Sequence, residues 1–97
     1  MPDGVEIERI EVELFTDGGN NAVVRMPERK FPGVVVQGDT LSTLWASATR
    51  ALAALQDPDR RRDGLSELDS LVMHLDSMLV RYEQALDTHD IQRPYSR

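Results

Sequence analysis

Glu11, Glu13 and Asp17 come closest to a chemical constellation in this 97-residue chain. Several convergent carboxylates can hold divalent cations for phosphodiester cleavage. Glu11 and Glu13 lie two residues apart on one face of a strand, and Asp17 follows in a loop. The same spacing is also the wet half of an alternating strand. Ile10-Glu11-Val12-Glu13-Leu14 places Ile10, Val12 and Leu14 inward and the glutamates outward. Alternation explains both acids fully, so no catalytic residue, metal ligand or cofactor is expected. His74 and His89 are fifteen residues apart without a cysteine partner, unlike a zinc pair. His74 is expected at a surface or boundary, and His89 near a helix C-terminus, where it complements the dipole. Neither adjoins an evident nucleophile.

Two further motifs have simple readings. Asp17-Gly18-Gly19-Asn20-Asn21 lacks the Lys-Ser/Thr of a phosphate loop and does not lead from a strand into a helix, so a hairpin turn is expected. Arg60-Arg61-Arg62 has no interleaved aromatics and sits in an acidic chain, which fits a solvated linker better than a nucleic-acid contact.

The formal charge is −6 and unevenly spread. Residues 1–20 carry six acids against Arg9, and residues 63–90 carry seven against Arg81. Such a chain repels phosphate backbones and suits a basic protein partner. There is no cysteine, which excludes disulfides and thiolate chemistry. The first residues lack the basic and apolar regions of a secretory signal, and no apolar run reaches membrane-spanning length, so a cytoplasmic location is expected.

Positioning elements follow from periodicity. A first strand from Val5 to Phe15 needs a bulge near Arg9 or a late start, because Val5 and Ile7 alternate out of phase with Ile10 onwards. Ala22–Met26 returns after the turn and Pro27 ends it. Val34-Val35-Val36 reads as a third strand buried on both faces. Asp39 and Thr40 are the expected N-caps of a helix whose apolar stripe runs through Leu41, Leu44, Trp45, Ala48, Ala51, Leu52 and Leu55. Trp45 is thereby expected in the core. Asp57-Pro58-Asp59 breaks that helix, and a second begins at Leu65, with Ser66 and Asp69 spaced like a capping box. The fold class is therefore α+β: a three-stranded antiparallel sheet followed by two helices, in the order β-β-β-α-α. Residues 1–90 are expected to form one domain, and residues 91–97 a flexible C-terminal tail.

The string Pro32-Gly33-Val34-Val35-Val36-Gln37-Gly38-Asp39-Thr40-Leu41, with the preceding hairpin, resembles the HicB-like antitoxin domain over about residues 8–56. The matching positions are Pro32, Gly33, Gly38, Asp39 and Thr40. The resemblance implies a sheet with helices on one face, like a reduced ribonuclease H core, in which Asp39 would be a further carboxylate to consider. It also implies a role in binding and blocking a small toxin protein. The C-terminal acidic helix matches no DNA-binding module. The expected function is non-enzymatic binding of a partner protein, such as a basic toxin, through Glu11, Glu13, Arg25 and Arg29. The alternatives are a ligand-binding or metal-dependent subunit using the acidic sheet face, and a structural homodimer. The second helix would be roughly 36 Å long and overhang a sheet about 20 Å across. A homodimer through Leu75, Met78, Leu79, Tyr82 and Leu86 follows from that overhang.

Overall fold

The computed structural model describes residues 6–97, so the expected strand position of Val5 lies outside the described residues. Strands β1 (Glu13–Leu14), β2 (Val23–Arg25) and β3 (Gly33–Val34) form an antiparallel sheet in sequence order. Helix α1 (Gly38–Leu55), a 3-10 turn (Pro58–Arg60) and helix α2 (Arg61–Thr88) follow. The β-β-β-α-α architecture read from the sequence is the architecture present.

Register fixes which side of the sheet is covered. Glu13 opposes Arg25, Leu14 opposes Val24, and Val23 opposes Val34. Val23 is fully buried, with Phe15 and Val34 beside it and Tyr82, Ala85 and Leu86 of α2 above it. Directly opposed residues share a face, so Leu14, Val24 and Gly33 lie on the other side. The inward parity expected for Ile10, Val12 and Leu14 is thus reversed. They are 52%, 42% and 51% exposed. Phe15 decides the matter: its amide donates to the Val23 carbonyl at 2.9 Å, its ring joins the core, and a period of two then turns Leu14 outward. Val35 is likewise 46% exposed, so the third strand is not buried on both faces.

The helices also start differently. Gln37 is the N-cap of α1, with no side-chain cap bond. Asp39 and Thr40 lie inside the first turn, where Asp39 Oδ1 accepts from the Thr40 amide and the Thr40 hydroxyl accepts from Asn20 of the hairpin loop at 2.7 Å. Helix α2 begins at Arg61 rather than Leu65, so the three arginines are not a linker. Asp57 Oδ1 accepts the Asp59 amide at 2.9 Å, with Pro58 opening the turn, and that start signal precedes the capping pair expected at Ser66.

At the start of α2, buried Gly64 meets α1. A methyl group there would lie 2.8 Å from both the Leu55 amide nitrogen and Leu55 Cγ, and 3.1 Å from the Ala51 carbonyl oxygen. Only glycine allows this approach. The seam runs through Leu44, Ser47, Ala51 and Ala54 on α1, and a salt bridge from Arg50 to Glu67 spans it at 3.0 Å. At the other end, the Tyr82 hydroxyl donates to the Pro32 carbonyl at 2.6 Å, tying α2 to the sheet.

Residues 91–97, expected as a flexible tail, fold back along α2. The cause is the helix end. Asp90 takes φ 55°, the Asp90 amide donates to the Asp87 carbonyl, and the Ile91 amide donates to the Leu86 carbonyl. That pair of bonds is a Schellman turn, and Ile91 packs against the cluster containing Leu86. Tyr95 then stacks on Tyr82 with ring centroids 6.3 Å apart. Arg97 grips both oxygens of buried Glu83 at 2.7 and 3.0 Å, and also reaches Asp76. The Arg97 hydrogen bonds, helped by the Tyr95 hydroxyl and by Arg93, hold the Glu83 carboxyl below the usual carboxylate range against the opposing effect of burial.

Two outcomes are expected. Gly64→Ala should destabilise the chain by about 1–2 kcal/mol in urea unfolding, because an overpacking cost of about 2–3 kcal/mol against backbone outweighs the gain in helix propensity of about 1 kcal/mol. A neutral or stabilising effect would show that the helices separate at little cost. For Glu83 the folded pKa is depressed, so its stabilisation is present above the unfolded value near 4.3 and is lost as pH falls through the folded value. Glu83→Gln should therefore lose less stability than the native chain between pH 5 and pH 3. Identical slopes would remove Glu83 from the acid response.

Candidate functional site

The residues expected to touch a partner do come together. Glu11, Glu13, Arg25 and Arg29, with Val12, Met26, Pro27 and Glu28, line one depression of about 300 Å³ at the open end of the β1–β2 hairpin. The local backbone explains why. Pro27 and Glu28 occupy a tight turn closed by the Arg29 amide on the Met26 carbonyl, with Glu28 at φ 65°. The turn brings Arg29 back beside the strand.

Within the depression, Arg25 grips Glu13 through two bonds of 2.7 and 2.9 Å. It also donates to the Lys30 carbonyl, and its guanidinium lies 5.5 Å from the centre of the Phe15 ring. The Arg25 hydrogen bonds hold the Glu13 carboxyl below its ordinary value, with burial opposing. A carboxylate already held by a guanidinium fork is poorly placed to take up a cation as well. Among the described residues, no group of three or more His, Asp or Glu side chains is arranged to hold a metal ion. Asp39 lies far along the chain from these acids, beside Thr40, Thr43 and His74 in a separate shallow hollow.

The dimer-interface residues do not all stay available. Tyr82 and Leu86 are 5% and 0% exposed, both within the core of the chain, because the sheet occupies the α2 surface that the sequence leaves bare. Met78 and Leu79 are half-buried, and Leu75 is 43% exposed. Trp45, expected in the core, is 69% exposed. The physical reason is that α1 meets α2 through its small residues, Ser47, Ala51 and Ala54, which leaves the bulky stripe of Leu41, Trp45 and Leu52 outside.

Two apolar surfaces therefore went unrecognised. One is the bare side of the sheet, with Ile10, Val12, Leu14, Met26 and Val35; beside it, Val24, Phe31 and Val35 help to line a shallow hollow. The other is one side of the α1–α2 hairpin. A signal for the second was present: between Thr40 and Leu55, α1 has Arg50 as its only charge. A helix meant to face water carries more.

If the acids serve as structure and surface charge, adding magnesium or manganese should leave the amide spectra of Glu11, Glu13, Asp17 and Asp39 unmoved, and RNA and DNA should stay intact. Metal-dependent cleavage abolished by Glu11→Gln or Asp39→Asn would reverse this reading.

Among the described residues no helix is long and apolar enough to cross a membrane. No curated protein and no solved structure matches the chain. Residues 7–95, nearly the whole chain, match a family of unknown function. With its three-stranded sheet and its helical hairpin inside the matched span, the chain belongs to that family, DUF6959.

Proposed function

We propose that this chain is a non-enzymatic interaction module that binds a partner protein on the bare side of its sheet and neutralises or regulates it, as HicB-like antitoxins do. The observation that carries this reading is the bare side itself. Leu14, Met26 and Val35 stand about half exposed on a short three-stranded sheet. Burying such side chains against a partner gains roughly 25 cal/mol per Å² of apolar surface.

Charge selects the partner. The stretch 6–17, which runs into and through β1, carries five acids against Arg9. A partner with apolar side chains ringed by lysine or arginine complements that edge and is steered to it. The depression holding Glu11 and Arg29 lies at the margin of the same surface, where polar contacts fix orientation. The resemblance of the Pro32–Leu41 string to HicB-like domains supports a toxin-like partner, and the absence of cysteine fits a cytoplasmic setting.

The test uses the native chain and Val35→Glu, whose side chain is solvent-facing enough for the fold to persist. Partners captured from cell extract by the native chain are purified and titrated against both proteins at low and raised salt. A partner that binds the native chain, weakens about tenfold or more with Val35→Glu, and weakens as salt rises supports the reading. Equal binding to both proteins, or recovery of nucleic acid alone, overturns it.

A further inference from the structure

We infer that the α1–α2 hairpin is half of a four-helix layer, completed by a second copy of this chain across the face that carries Leu41, Trp45, Leu52, Leu65, Leu68 and Val72. No residue of the sheet enters the argument, so it stands apart from the partner reading.

Geometry puts these residues on one side. The seam between the helices runs through Leu44 and Ala51 of α1 and through Gly64 and Leu71 of α2. In two antiparallel right-handed helices, the residue following each seam position turns to the same side of the pair. Those followers are Trp45 and Leu52 on α1, and Leu65 and Val72 on α2. The contact of Gly64 with Leu55 and the Arg50–Glu67 bridge set the pairing along the axis. Leu52 then stands beside Leu65, Trp45 beside Val72, and Leu41 near Leu75. The opposite side carries Arg50, Glu67 and His74.

Exposure shows that this face is bare in the single chain. Trp45 is 69% exposed, Leu41 and Leu52 60%, Leu65 56% and Val72 55%. Together with Leu68 and Leu75 they offer on the order of 800 Å², the amount each side of a stable protein interface buries. The whole chain exposes 7636 Å², against roughly 5,600 Å² for a folded monomer of 10.9 kDa.

Three features favour a second copy as the occupant. A net charge of −6 makes two copies repel unless they meet where charge is sparse; the α1 half of the face carries none, and on α2 Asp69 and Asp76 flank the stripe, Asp76 paired with Arg97. Paired antiparallel helices with matching apolar stripes are what a four-helix bundle joins across its core. The face also suits a two-fold axis: the bulky Trp45 and the small Ala48 stand one turn apart on α1, so a copy turned about an axis between them would set large against small. Leu75 keeps the interface role expected from the sequence, whereas Tyr82 and Leu86 do not.

Trp45 is the only tryptophan, which makes the native chain its own reporter. Light scattering at high micromolar concentration should give a dimer. Tryptophan emission should shift to shorter wavelength with association, and acrylamide quenching should fall several-fold. Leu65→Glu should be monomeric with unchanged far-ultraviolet circular dichroism. Should that variant fail to fold, single cysteines decide. Ala48→Cys should oxidise rapidly to a covalent dimer, while Ala53→Cys, on the other side of α1, should not. A monomeric native chain, a dimer whose Trp45 stays fully quenchable, or equal oxidation at positions 48 and 53 would each overturn the inference. The Val35→Glu titration reads the sheet alone, so either proposal can fail without the other.

Discussion

Every other element of this chain rests on one flank of α2. The helix has 28 residues and is about 42 Å long, more than twice the length of the sheet's strands. Near its start, Gly64 lets α1 approach to backbone contact. Near its end, Tyr82, Ala85 and Leu86 receive Val23, Phe15 and Val34, and the Schellman turn folds the last residues onto the same region. The sheet and α1 thus sit end to end along one rod. Extents of 51 × 39 × 21 Å and a radius of gyration of 17.2 Å follow, against about 12–13 Å for a compact chain of this length.

That arrangement leaves little interior. Val23 and Leu86 are the largest fully buried side chains among the described residues, and much of the remaining core is alanine. Small domains bury a small share of their surface in any case, and a layer one element deep buries less. Stability leans instead on specific polar ties: the Tyr82 hydroxyl on Pro32, the Asn20 amide on Thr40, and the Arg97 fork on Glu83. Each joins segments far apart in sequence where apolar contact is thin.

The element order was legible because each element has its own period. The hairpin turn at Asp17–Asn21, the stripes of both helices and the break at Asp57-Pro58 are local signals. The side each element buries was less legible. Alternation at Ile10–Leu14 says that one face is apolar, but Phe15 decides which face meets the helix, and that depends on packing. In α1 the bulkiest stripe looked like core, yet the contact with α2 goes to Ser47, Ala51 and Ala54, because a close crossing needs small residues. Asp57-Pro58 reads as an ending but is also a beginning, so α2 starts at Arg61 rather than at Leu65. The tail read as loose because Pro94 and its charges hide a left-handed turn at Asp90, a conformation more often marked by glycine. The four residues expected to contact a partner did converge, since a two-strand hairpin and its following turn bring them together with little help from the rest.

A single uninterrupted helix beneath two small cores has a thermodynamic consequence. Helical hydrogen bonds form cooperatively, so each core suppresses fraying of the turns that the other needs. The α1 crossing at Gly64 and the sheet contacts at Tyr82 lie eighteen residues apart, five helical turns, with no glycine, proline or bulge between them to act as a break. Loosening at one end therefore raises the opening probability of amide groups at the other, although no side chain joins the two directly. The rod is a mechanical linkage, and hydrogen exchange along Gly64–Leu86 would report it as one protected unit rather than two.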